Sequence, residues 1–291
     1  MSDGFRFGVS MTSRGSRNKW IEKCQKAERL GYDVISVPDH LGMPAPFPAM
    51  MLAAEATQRV RLNTFVLNTP FYNPTLLARD VATVDQLTGG RVELGLGAGF
   101  VKAEFEAAGI PFPSGGKRAD QVAETAATLR RLFADVDYRP RPAQEGGPPV
   151  LIAGWGKRML RIAAEYADII AVTGAGTTDG GHLTLATPSA TADRLAYLRE
   201  LLGDRADKVE INILVQALIL PGEHEKALTR LAPYVSVGDT DQLEKYIGLL
   251  VGTPEHMVSQ LRERRESYGI NYITVLDRNM DKLAPLIELL R

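Results

Sequence analysis

Short runs dense in Val, Ile and Leu alternate along the chain with longer stretches whose apolar residues recur at three- and four-residue spacing. The first pattern suits strands buried on both faces and the second suits amphipathic helices, so their alternation marks repeated βα units around a parallel sheet. Eight strands are predicted: Arg6–Ser10, Val34–Val37, Val60–Leu67, Val92–Gly95, Val150–Ala153, Ile169–Val172, Glu210–Leu220 and Tyr272–Leu276. Helical spacing covers Lys19–Leu30, Pro48–Thr57, Thr75–Leu87, Ala119–Phe133, Arg158–Glu165, Thr191–Leu202 and Pro254–Tyr268, and Met280–Leu290 makes a terminal helix. Gly31 stands where a left-handed residue ends the first helix, and Thr253-Pro254-Glu255 supplies an N-cap, a first-turn proline and an early acid.

Eight parallel strands can close into a barrel or lie open in a doubly wound sheet. The segments after the second, fourth, sixth and seventh strands are long and rich in Gly and Pro, whereas those leading into strands are mostly short. Long connections at the strand C-termini are what barrel enzymes use to build sites. The expected architecture is therefore an α/β chain folded as one (β/α)8 TIM barrel over residues 1–291, with insertions at the C-terminal face. Two of these, residues 174–188 and 221–252, are expected to overhang a substrate.

Composition narrows the function classes. At 45% hydrophobic and 24% charged residues the chain has the makings of an ordinary globular core. With 34 basic against 35 acidic residues it has no general attraction for phosphodiester backbones or anionic bilayers, so nucleic acid and membrane are not expected partners. No run approaches the length of a membrane span, and the first residues lack the layout of a signal peptide; a cytoplasmic location is expected. Cys24 shares the apolar face of Trp20, Ala27 and Leu30, the place of a buried structural thiol. No metal-binding spacing is present, so no metal ligands are assigned. His224 and His256 sit among solvated residues, while His182 falls in the glycine-rich stretch after the sixth strand.

Three segments carry candidate chemistry. Asp39-His40 ends the second strand; an imidazole can move protons near neutral pH, and the carboxylate can accept hydrogen bonds from a ligand. On these residues alone a helix cap beside a structural histidine fits equally. Gly95-Leu96-Gly97-Ala98-Gly99 lacks the spacing and ribose-binding acid of a dinucleotide fingerprint, and its small residues would let backbone approach a ring or phosphate tail. Pro149-Val150-Leu151-Ile152-Ala153-Gly154-Trp155-Gly156-Lys157-Arg158 runs from a strand through glycines into a helix, whose unpaired N–H groups suit a phosphate.

Together with Val60–Pro74, Ala78-Arg79-Asp80 and Asp85-Gln86-Leu87-Thr88-Gly89-Gly90-Arg91, these segments follow the order and spacing of the luciferase-like superfamily of flavin and deazaflavin enzymes, which the chain resembles. The resemblance implies a (β/α)8 barrel with the cofactor across the strand C-termini and a non-prolyl cis peptide joining Phe65 to Val66 behind its ring. It implies cofactor contacts at Asp39, Phe65, Val66, Asn68, Ala98 and Gly99, and phosphate contacts at Gly154, Trp155, Gly156 and Lys157. Asp39-His40 resembles the branch using the deazaflavin coenzyme F420, in which His40 would act beside the reacting carbon. Within that branch the chain departs from the sugar-phosphate dehydrogenases, which carry a Trp shortly after the Asp-His pair and a Glu directly after the glycine-rich strand, where Pro44 and Phe100 stand here. Phe100, Met43 and Phe47 suggest a small, fairly apolar substrate. The implied function is F420-dependent hydride transfer; the competing readings are an FMN-dependent two-component monooxygenase and a cofactor-binding protein without catalysis. Barrels of this family often form homodimers.

Overall fold

The architecture follows from β1 (Arg6–Ser10), α1 (Arg17–Arg29), β2 (Val34–Val37), α2 (Pro46–Ala56), β3 (Arg61–Thr64), β4 (Leu67–Asn68), α3 (Pro74–Leu87), β5 (Val92–Gly97), α4 (Lys102–Ala108), α5 (Gly115–Ala134), β6 (Val150–Gly154) and α6 (Lys157–Tyr166). It continues with β7 (Ile169–Val172), β8 (Ala175–Thr177), β9 (Leu183–Leu185), α7 (Pro188–Leu202), β10 (Glu210–Val215), β11 (Ala217–Ile219), α8 (His224–Leu231), β12 (Leu249–Val251), α9 (Pro254–Tyr268), β13 (Ile270–Leu276) and α10 (Met280–Leu289). The structure is a computed structural model and describes residues 4–13, 15–177, 183–234 and 240–291.

Parallel pairing runs β3-β2-β1-β13-β10-β7-β6-β5, and β5 pairs back with β3 through Leu62 and Asn63 and with β4 through Leu67 and Asn68, so the sheet closes. The result is the expected (β/α)8 TIM barrel. Alternate residues of each strand face the helices, where Phe7, Val9, Ile35, Val37, Leu62, Leu94, Ile152, Ile213 and Ile273 join one main core. The other set points inward. A smaller interior cluster holds Val34, Leu151, Ile169, Ala171 and Tyr272, with Phe65, Val66 and Ala153 packed against it.

Two predicted strands are interrupted. Val60–Leu67 breaks into β3 and β4 around a cis peptide between Phe65 and Val66, the bond the resemblance singled out. Glu210–Leu220 breaks at Gln216, beyond which β11 leaves the barrel to pair with β12. Both runs are made of residues at home in strands, so composition carries no sign of either break. The segment 135–149, between α5 and β6, is a long connection on the side leading into strands. Its Gln144 donates from its main-chain N and Nε2 to the buried Asp85 at 2.9 and 2.8 Å and accepts from Arg61 at 2.9 Å.

The bottom of the barrel is closed by charge. Arg6 of β1 bridges Glu93 of β5 and Glu210 of β10, and Arg61 Nε donates to Glu93 at 2.7 Å. The Arg6 guanidinium also stacks 4.5 Å from the Tyr272 ring centroid. Burial opposes its charge, yet Glu93, Tyr272 and Glu210 outweigh that and strengthen its hold on the proton. The Thr88-Gly89-Gly90-Arg91 turn is also structural: both glycines have positive φ, and Arg91 donates to the carbonyls of Ala54, Thr57 and Thr88 at 2.8 to 3.1 Å, satisfying the end of α2.

The glycines of β5 have the sharpest requirement. A Cβ on Gly95 would lie 1.9 Å from the Thr64 carbonyl oxygen, one on Gly97 2.5 Å from a Val66 methyl, and one on Gly99 2.1 Å from Asn68 Oδ1. The Gly-Leu-Gly-Ala-Gly run is thus the complement of the β3–β4 bulge, where the sequence suggested room for a ring or phosphate tail. Gly95→Ala is expected to cost about 3 kcal/mol or more by forcing the two main chains apart, whereas Gly4→Ala, with open space around it, should be near neutral. Urea denaturation of the pair checks this; equal midpoints would show that the bulge gives way freely.

Candidate active site

Loops after β2, β4, β5 and β6 meet at the C-terminal mouth. Asp39 follows β2, and its Oδ2 accepts from the Asn68 main-chain N–H and from the Tyr72 hydroxyl, both at 2.9 Å. Burial raises the Asp39 carboxyl above the ordinary carboxylate range, while these two donors and His40 pull the other way. Oδ1 has no partner among the described residues. Asn68 Oδ1 is buried and has no partner among the described residues. Two acceptors thus converge beside the cis peptide, a donor-seeking edge that a ring bearing N–H groups would satisfy.

His40 is half-buried and gives Nδ1 to a 2.9 Å hydrogen bond with Glu104 Oε1, while its ring meets Phe100 edge-on at 6.2 Å between centroids. Glu104 was not singled out by the sequence. It rides on α4, a helix of 7 residues in which only Phe105 is buried, too short for a periodicity to be seen. Glu104 stands four residues beyond Phe100, whose own side chain is 59% exposed. Leu41, at 50%, is exposed next to His40.

Ala98 and Gly99 continue β5 across from Asn68, and Phe65 and Val66 form the bulge between β3 and β4, so these four candidates share one edge of the mouth with Asp39. The phosphate candidates lie at the next connection. Gly156 is the N-cap of α6, in an extended conformation with open space around it and no side chain capping the helix. Lys157 begins that helix, 5.4 Å from the Tyr197 ring centroid and in no ion pair among the described residues. Trp155 faces Arg194 at 5.7 Å. Gly154 also has a packing reason to be glycine: a Cβ there would lie 2.6 Å from Met159 Cβ.

Among the remaining candidates, His224 and His256 are exposed, the latter 3.3 Å from Glu244, and Cys24 is fully buried, its thiol pushed up to about 12 by burial. His182 lies outside the described residues. Among the described residues no cluster of His, Cys, Asp and Glu could hold a metal, and no helix is long and apolar enough to cross a membrane.

The chain is similar to known proteins on two levels. Residues 2–239 match the family described as luciferase-like monooxygenase. The F420-dependent glucose-6-phosphate dehydrogenase of Intrasporangium calvum is 32% identical over 182 residues, 54% of each chain. The oxygenase component of a flavin-dependent trigonelline monooxygenase from Acinetobacter baylyi is 28% identical over 185 residues, 58% of this chain and 51% of that one. The chain spans about half the length of these curated relatives. Among solved structures, an F420-dependent secondary alcohol dehydrogenase in complex with an F420-acetone adduct superposes with a TM-score of 0.79 at 19% identity, covering 99% of both chains.

The Tyr72 hydroxyl stabilises the ionised form of Asp39, so Tyr72→Phe is expected to raise the Asp39 pKa further. Carboxyl ¹³C titration by NMR measures it, and an unchanged Asp39 curve would mean that this hydrogen bond does not set the carboxylate's charge.

Proposed function

This chain belongs to the luciferase-like monooxygenase family, and on that premise we propose that it is a coenzyme F420-dependent oxidoreductase acting on a small, fairly apolar organic substrate. The observation that carries the reading is the pairing of two units at one mouth: an acceptor edge, Asp39 with Asn68, and a proton-transfer unit, His40 with Glu104. The deazaflavin, when bound, supplies a carbon centre that accepts or gives a hydride. The residues supply position and the proton.

Asp39 Oδ1 and Asn68 Oδ1 would accept from the polar edge of the ring, with Asp39 prealigned through Oδ2 by Asn68 N–H and Tyr72. Phe65, Val66, Ala98 and Gly99 would present main chain and small side chains to the ring. The Gly156 N–H, the start of α6 and the Lys157 ammonium would hold phosphate, and Trp155 would wall that end. His40 would carry the proton. With Nδ1–H donated to Glu104, Nε2 is the basic nitrogen and can take a hydroxyl proton as an alcohol is oxidised; Glu104 then stabilises the imidazolium. In the reductive direction the same Nε2–H returns the proton. Exposed Leu41 and Phe100 beside His40 favour an apolar substrate face. The resemblance to the trigonelline monooxygenase component supports a second reading, an FMN-dependent oxygenase using the same cradle.

His40→Ala is expected to slow single-turnover hydride transfer by about 10²–10⁴-fold with near-normal cofactor affinity, followed as bleaching of deazaflavin absorbance. A wild-type rate in the folded variant would assign the proton to another group. Gly156→Val suits its extended backbone and open surroundings, so the fold should persist, at a capping cost of about 1 kcal/mol, while F420 affinity falls. Fluorescence titration reads this, and unaltered affinity would place the phosphate elsewhere.

A further inference from the structure

The excursion between β10 and α9 has a core of its own. Ala217, Ile219, Ala227, Leu231, Leu243, Tyr246 and Leu249 pack together with Ala175 and Leu185 of the β8–β9 ribbon, apart from the main core. This second layer stands at the barrel mouth. Gln216, directly after β10, donates its main-chain N–H to Gly248 at 2.8 Å, and the Ile247 side chain closes on Gly174, directly after β7, to within 2.8 Å of where a Cβ would be. Residues 244–249 therefore wall the mouth above β7 and β10, across the barrel from Asp39 and His40.

What holds that wall is a buried cation. Arg264 of α9 is 6% exposed and has no carboxylate within ion-pair reach among the described residues. Its Nη1 donates to the carbonyl of Ile247 at 3.1 Å, and its Nη2 is shared among those of Leu249 at 2.7 Å, Glu244 at 3.1 Å and Tyr246 at 3.3 Å. One turn earlier on the same helix, Gln260 brackets Val251, accepting from its N–H at 3.2 Å and donating to its carbonyl at 2.7 Å. Burial pulls the guanidinium down to about 10 against the opposing pull of Glu263 and Tyr268, and its direct hydrogen bonds all go to main-chain carbonyls. A charge in such a place is costly unless every donor is used, and a planar fork is the one side chain that reaches several carbonyls of one turn at once. Packing alone would be served by a Leu or Met.

We propose that Arg264 is a positioning residue that fixes the wall at residues 244–249, and through it the substrate side of the mouth, without touching cofactor. The substrate part of this assignment rests on the F420 reading above; the clamp itself does not.

The test compares Arg264→Met, which keeps apolar bulk, with Arg264→Lys, which keeps charge but loses the fork. Amide exchange followed by mass spectrometry is read on peptides covering residues 244–251 and on the barrel strands, alongside F420 titration and, with the best wild-type substrate from a panel of secondary alcohols and enones, KM and kcat. Arg264→Met should lose about tenfold or more of the protection at 246–251, a step of ~1.4 kcal/mol, with the barrel strands and F420 affinity unchanged. KM should rise by a similar factor while kcat stays within about twofold, and Arg264→Lys should restore only part of either effect. Unchanged exchange at 246–251, or equal loss across the barrel strands, would overturn the clamp, and a kcat loss at constant KM would overturn its place on the substrate side. Absence of F420 binding by the wild type would defeat the cofactor reading while leaving the exchange comparison to decide the clamp.

Discussion

Among the described glycines none is more tightly confined than Gly95, where the main chain of β5 meets the start of the bulge joining β3 to β4. With a Cβ on Gly95 reaching to 1.9 Å of a carbonyl oxygen, the two staves can lie this close only if the facing residue has no side chain. Several things depend on that contact. It closes the barrel, since β5 pairs with β3 below the bulge and β4 above it. It turns Asn68 so that its N–H reaches Asp39 while its Oδ1 rests over Gly99. The acceptor edge of the site is thus a product of the backbone, and its residues are held by the scaffold before any ligand arrives, which is what keeps the cost of organising a site low.

Polar groups inside the barrel are divided by depth. At the strand N-termini Arg6, Arg61, Glu93 and Glu210 form one ion-paired cluster, a structural plug whose charges are spent on the fold. Removing one partner of so buried a set typically costs about 3–5 kcal/mol, which ties these residues to stability. At the C-termini the opposite holds: Asp39 keeps an oxygen in reserve, Asn68 Oδ1 is unpaired, and His40 leaves Nε2 without a protein partner among the described residues. Of the open polar groups in the barrel, those at the mouth are the ones a ligand could satisfy.

Much of this was legible in the sequence because the relevant signals are periodic or local. The eight staves appear in order, and the Asp39-His40 pair, the cis bond at Phe65-Val66 and the Gly156 cap fall where the motifs placed them. What stayed hidden depends on contacts between distant segments. Glu104 reaches His40 from a short helix without an apolar stripe, and Arg264 lies in α9 among other charged residues, so nothing local marks it as buried. The glycines of β5 and Gly154 were visible as glycines, but the sequence did not show that Thr64, Val66, Asn68 and Met159 crowd them, a packing requirement that stands beside any ligand contact. The break in the third strand was reached only through the family resemblance, and that in the seventh was hidden because no Gly or Pro marks the turn at Gln216.

The proposed chemistry stands or falls with whether this cradle holds a deazaflavin for hydride traffic. The most direct measurement is parallel titration of the wild-type protein with F420 and with FMN, with oxygen consumption recorded after each is supplied in reduced form. Saturable F420 binding at least about tenfold tighter than FMN, a preference of ~1.4 kcal/mol or more, is expected, with no oxygen uptake. Tighter binding of FMN, with oxygen consumed by the reduced complex, would contradict it.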